Sequence, residues 1–326
     1  MKKITKNNIW VYIGAGISIL LIIYCIIYIY GYYSHNNILW HYPKNYKLDD
    51  KLKKQILSPN EIGDSIGGIL NPIIGLVASI LTFLAFYMQK RANDDIQVQF
   101  KIQQFESQFY EMLRLHKENV TEIEIISFQT GISVSGRKAF IVMAQDYRAL
   151  LSRAVLFESA LTPADFEIAY GIFFWGYDED EFQSLSSKSG GRVVGGNVAS
   201  LSFIKEHQGY GSTLGHYFRH LFMMVKFVVN SSIVPEYKEK IKYLKILRAQ
   251  LSNHEQIMLF YNWLSRYGAA WENNENQFFT EYVMIHNLWR EELLQNELIL
   301  KKVQELEKKP VRLRKKPLFE YQEKGG

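Results

Sequence analysis

Two short stretches hold the residues whose types and spacing could do chemistry. The first is HQGYGSTLGHYFRHLF, residues 207–222, where three glycines, three histidines and an arginine fall within sixteen residues. A helix capped by Ser212 or Thr213 and running to Val229 would put His216 and His220 four apart on one face. Arg219 then sits beside them and Lys226 farther along. Three chemistries suit this set. Imidazoles at i and i+4 are good metal ligands, but no glutamate follows the first histidine and no third ligand stands out. Gly209, Gly211 and Gly215 ahead of a helix could cradle phosphate, but no apolar strand leads into them. The plainest reading is a turn and a capped helix whose histidines partly pack. On that reading the polar face of His216, Arg219, His220 and Lys226 is the leading binding surface. No metal or cofactor is assigned.

The second stretch is LKILRAQLSNHEQIMLFYNWLS, residues 244–265. Serine at 252 with glutamate at 255, ahead of an apolar run, is a capping box, so one helix ends near Gln250 and the next begins at Asn253. On an unbroken helix Arg248 and His254 would point ~120° apart. Across a break they can converge, and arginine beside histidine is the minimum for holding a phosphate and moving a proton without a metal. The competing reading is a helix cap and a surface arginine.

The elements that must position these residues are uneven along the 326-residue chain. Ile9–Tyr33 runs 25 residues without a charge and Ser65–Met88 runs 24. Each exceeds the roughly 20 apolar residues a helix needs to cross a bilayer. Trp10 at one end of the first run and Tyr28, Tyr30, Tyr32 and Tyr33 at the other resemble interfacial belts. The lone Cys25 excludes internal disulfides and cysteine-based zinc clusters, and the net charge of +5 is too mild to imply nucleic acid by itself. The expected organisation is an N-terminal flank (1–8), a first span (9–33), an extracytoplasmic loop (34–64) and a second span (65–88). A helical cytoplasmic domain (89–306) and a basic tail (307–326) follow. The lysines flanking the spans only marginally favour a cytoplasmic C-terminal domain, because the loop carries Lys44, Lys47, Lys51, Lys53 and Lys54.

At the second span, Gly63, Gly67 and Gly68 approach a small-xxx-small pattern, with Asp64 at the edge and Asn71-Pro72 inside. Either this is a helix-packing or pore-lining face in a homo-oligomer, or it is an entry turn and a tolerated kink. Beyond the span, Phe100, Phe105, Phe109, Leu113 and His116 recur at helical spacing in one helix to about Glu124. Further helices are expected over Lys138–Glu158, from Thr162 onward, and over Asn276–Leu306, with a mobile loop at Asp178–Ser202. Six basic residues between Lys308 and Lys316 read as a solvated tail or an attractor of anionic lipid or nucleic acid.

GDSIGGILNP, FESQFYEMLRLH, GRKAF (136–140), GHYFRHLFMMVKFV (215–228) and LRAQLSNHEQIMLFYN (247–262) occur in that order. In these blocks, over residues 60–295, the chain resembles the AbiC-like phage abortive infection proteins of bacteria. The resemblance implies a two-span inner-membrane anchor, a mainly α cytoplasmic domain and a role in halting phage, as effector or sensor, with membrane disruption as one route. It implies no settled reaction. It maps recurrent positions to Gly215, His216, Tyr217, Arg219 and Lys226, and to Arg248, Gln250, Leu251, Ser252 and Glu255. His254 departs from the family pattern. Separately, Arg-x5-His matches the Arg-x4-6-His spacing of HEPN-type ribonucleases, so metal-independent RNA cleavage is the alternative. In that case RNA would be a partner, through Arg248 and His254 or through Arg219 with His216 or His220. A third possibility is a non-enzymatic anchor for a defence partner. The partners expected are the bilayer, further copies of the chain, and RNA or a phage-derived trigger protein.

Overall fold

The computed structural model describes residues 2–35, 59–128, 130–154, 162–180, 183 and 208–320. The chain divides into two compact units, residues 1–100 and 101–326. Among the described residues it is mainly helical, with one small hairpin.

The first unit holds α1 (Lys2–His35) and the N-terminal part of α2 (Pro59–Glu122). Within α2, Ile66–Glu122 contains an apolar window and is the one described helix long and apolar enough to cross a membrane. A shorter apolar stretch, Gly16–Tyr28, lies in α1. Their large side chains face outward, Leu20 at 66% and Phe83 at 69% exposure, as lipid-facing surfaces do. Ser18, Ser79 and Thr82 spend their hydroxyls on carbonyls four residues back, Gly14, Gly75 and Ala78 at 2.7–3.0 Å. A Cβ on Gly14 would lie 3.3 Å from Leu84 Cδ1, which brings α1 and α2 close at that point. Pro72 sits inside α2 without ending it. The helix starts at Pro59, so Gly63 and Asp64 are helical and form no entry turn. Most of the expected loop, 36–58, lies outside the described residues.

In the second unit the end of α2 turns Phe105, Phe109, Leu113 and His116 into the core, as their spacing predicts, together with Val120, whereas Phe100, expected on the same stripe, is exposed at 65%. An antiparallel hairpin follows, β1 (Glu124–Ile126) on β2 (Ser133–Ser135), with Ile125 opposite Val134. Gly136, at φ 63°, then turns the chain into α3 (Arg137–Ala154). The hairpin is too short for a periodic signal, and the sequence does not announce it. Helix α3 is described only to Ala154, and residues 155–158 of the expected helix lie outside the described set, as do 181–182 and 184–202 of the expected loop. Helix α4 (Pro163–Trp175) begins as expected, with Thr162 and Asp165 forming a reciprocal cap and proline at the first position. Then come α5 (Gly211–Val229), α6 (Tyr237–Arg248) and α7 (Asn253–Leu264). Tyr147 on α3 sits at their centre, its ring 4.9–5.6 Å from those of Phe166, Tyr170, Phe173 and Tyr261.

The C-terminal region departs from expectation twice. Residues 276–296 are turns with a single 3-10 turn at Arg290–Glu292, and only Glu297–Lys308 (α8) is helical. The start of this region is tied to the buried Glu272 carboxylate, which accepts from Phe279 N, Thr280 N and Thr280 Oγ1 at 2.9, 3.0 and 2.6 Å. The second departure is the basic segment, which is no solvated tail up to Glu320. Leu318 and Phe319 are buried, and Glu281 accepts the backbone N–H groups of Arg312, Leu313 and Arg314. Residues 309–320 are therefore a strap held on the domain; 321–326 lie outside the described residues.

Candidate functional site

The glycines ahead of α5 are packing residues. Gly209 has φ 79°, and a Cβ there would fall 2.3 Å from Gly176 N; one on Gly211 would fall 2.5 Å from Phe174 O. Tyr210 N donates to Phe173 O at 2.9 Å, so the start of α5 is pressed on the end of α4, where a cradled phosphate would have to sit. Neither Ser212 nor Thr213 caps α5: the N-cap is Tyr210, which makes no side-chain capping bond. Its hydroxyl instead donates to Asp146 Oδ2 at 2.5 Å. His207 lies outside the described residues.

The polar face of α5 forms as the spacing predicts. His216, Arg219 and Lys226 are exposed and His220 is half-buried. Lys226 lies over the Phe222 ring, 6.0 Å from its centroid. From His220 the cluster runs inward. Its ring lies 5.7 Å from that of His116 on α2, nearly parallel at 7°, and His116 in turn lies 5.2 Å from Tyr217. Neither His116 nitrogen has a hydrogen-bond partner, nor does His220 Nδ1. Burial lowers the His116 pKa to about 4, helped by the neighbouring His220 and Arg137 charges. Burial, then His216, lowers that of His220 as well. Both imidazoles are therefore neutral near pH 7.

Beyond Tyr217 the cluster ends on the capping glutamate. The fully buried Glu255 receives Ser252 N at 2.6 Å and the Tyr217 hydroxyl at 3.2 Å, while Glu255 N donates to Ser252 Oγ at 3.2 Å. Arg137 Nε stands 3.8 Å from the same carboxylate, and Arg137 Nη2 donates to Gln250 O at 2.5 Å. One residue thus caps α7 and joins it to α3 and α5. The capping box was legible in the sequence. The inward partners His116, Arg137 and Tyr217 were not, because they come from three helices.

The second candidate pair has separate surroundings. Arg248 Nη1 donates to Val283 O at 3.0 Å, a carbonyl presented by a residue held at φ 54°. His254, half-buried, lies among Arg148 and Glu292, which are themselves paired at 3.3 Å. Burial lowers its pKa first; Glu292 opposes that and Arg148 adds to it. Arg148, on α3, is thus an arginine beside His254 that the sequence spacing does not single out.

These groups bear on the metal reading too. The parallel His116–His220 rings add a third imidazole, yet among the described residues no group of three His, Cys, Asp or Glu side chains could hold a metal ion. What α5 offers is a cationic ridge, Arg219 and Lys226, beside neutral imidazoles, which suits an anionic partner and proton transfer.

Compared with known families, residues 209–293 match the one described as "Putative phage abortive infection protein". The match begins at the Gly209 turn and takes in α5, α6, α7 and the Glu272 knot. It bears out the resemblance over that stretch and leaves residues 60–208 outside it. Neither the curated proteins nor the solved structures give a match.

Proposed function

Proceeding from a chain that carries a phage abortive infection region at residues 209–293, we propose that it is a membrane-anchored anti-phage protein. The family match is the observation that carries this reading. The apolar helix Ile66–Glu122 in the same chain supports the anchor. In this reading Ile9–Tyr33 and Ser65–Met88 both span the inner membrane and the second unit is cytoplasmic. The face of Gly63, Asp64, Gly67, Gly68, Asn71 and Pro72 joins further copies of the chain, so that triggering perturbs the bilayer. Around Gly63 and Gly68 nothing within 4 Å would meet a Cβ, which leaves room for a neighbouring helix.

A phage plaque assay on cells making the wild type and the Gly67→Leu/Gly68→Leu double variant tests this, with membrane potential followed after infection. The variant should reach the membrane at normal levels, lose protection and lose early depolarisation. Protection equal to wild type would reject the oligomer face as the working part.

One observation favours a second reading, RNA cleavage: Arg219 and His216 stand exposed beside the neutral His220. Arg219→Ala should then abolish RNA decay in infected cells while the potential holds. Intact RNA in infected wild-type cells would dispose of it.

A further inference from the structure

Away from the α5 ridge, the second unit contains a cleft of about 430 Å³ between the end of α5, the loop at 273–278 and the strap at Arg312-Leu313. Its walls are stiffened from behind. Glu272 orders the loop through Phe279 and Thr280 and is paired with Lys309 at 2.7 Å. Asn273 Oδ1 accepts from Glu275 N at 2.8 Å and from Asn276 N at 2.7 Å, fixing the turn. Glu281 holds the strap by three backbone N–H groups, which sets Arg312 at the cleft edge.

Two of the groups that line the cleft are committed, Glu281 to the strap and the Asn276 amide to Ala270 O at 3.0 Å. Among the described residues, by contrast, the side-chain amides of Asn230, Asn274 and Gln277 make no hydrogen bond, and the exposed Arg312 guanidinium makes no ion pair. Tyr282 adds a half-buried ring. An amide carries a donor and an acceptor side by side, which suits the edge of a nucleobase. A guanidinium fork suits phosphate oxygens, and the volume falls within the ~300–1,000 Å³ of small-ligand sites. Glu275 and Glu281 both line the cleft, and their carboxylates disfavour a string of phosphates.

From this combination we infer that the cleft binds a nucleoside monophosphate, its base read by Asn274 and Gln277 and its phosphate held by Arg312. The site lies apart from the α5 face and does not rest on the function proposed above.

Equilibrium dialysis of the full-length chain in detergent against labelled AMP, GMP, CMP and UMP, with inorganic phosphate as competitor, tests it. At least one nucleotide should saturate the protein below about 1 mM, with phosphate a much poorer competitor. Arg312→Ala should weaken binding about tenfold or more, as should Asn274→Ala combined with Gln277→Ala. Arg219→Ala should leave it unchanged. The substituted side chains are free and at the rim, so thermal unfolding should match wild type and separate a lost ligand from a lost fold. Three results would overturn the site: no saturation by any of the four, equal competition by phosphate, or undiminished binding to both cleft variants.

Discussion

Glycines gather at two places in this chain, and the space around them differs completely. In the second unit a Cβ on Gly209 or Gly211, at the start of α5, or on Gly268, just past α7, would come within 2.3–2.5 Å of backbone atoms of Gly176, Phe174 or Asn262. Around the apolar part of α2 a Cβ on Gly63, Gly68 or Gly75 would meet nothing within 4 Å, and on Gly67 only the Asn71 amide at 3.8 Å. The same residue type therefore answers two different demands. In the domain, glycine lets α4 and α5 touch, and the partner backbone is present in the same chain. In the apolar helix that close approach within the chain is made elsewhere, at Gly14 against Leu84. Among the described residues the α2 glycines meet only the Asn71 amide of their own helix.

Three measurements would sharpen or break that contrast. Gly209→Ala should be the most damaging, because alanine must take φ 79° and its Cβ has no room against Gly176. A loss of about 3 kcal/mol or more is expected in denaturant unfolding of the detergent-solubilised chain. A loss below ~1 kcal/mol would mean that the α4–α5 contact yields easily.

Next comes acid sensitivity from His116. Above about pH 6.5 neither folded nor unfolded chain protonates this imidazole, so it contributes no pH dependence. Between 6.5 and about 4 the unfolded chain takes up a proton that the folded one refuses, and stability falls as pH falls. The groups facing it are His220, Arg137 and Tyr217. The full effect is about 3 kcal/mol. His116→Leu should flatten that part of the stability–pH curve, and an unchanged slope would assign the acid effect to other groups.

Smallest is the effect of Gly68→Leu on the isolated chain, expected within about 0.5 kcal/mol of wild type because the new side chain enters open space. Should the melting shift be as large as for Gly209→Ala, the two glycine groups would not differ in kind.

Much of the architecture was legible locally. The Thr162 and Ser252 caps, the Phe105–His116 part of the stripe and the end of α6 before Ser252 follow from short-range patterns, and they hold because each needs only neighbours in sequence. The C-terminal region was misread because its apolar residues do recur at helix-like intervals. There the chain instead turns back on contacts with a buried carboxylate seven and eight residues upstream. The basic run looked like a tail because charge pattern carries no word of Glu281, thirty-one residues earlier.

The site divides along the same line. Sequence alone placed His216, Arg219, His220 and Lys226 on one face, since helical spacing does that by itself. It also determined the helix break between Arg248 and His254 and the long apolar runs. Only the tertiary structure stacked His116 on His220, set Arg148 and Glu292 beside His254, turned Arg248 to the Val283 carbonyl and made Glu255 the joint of three helices. Those are contacts between elements far apart in the chain. Which side chains meet there depends on how ridges and glycine gaps let helices approach, and no local pattern encodes that.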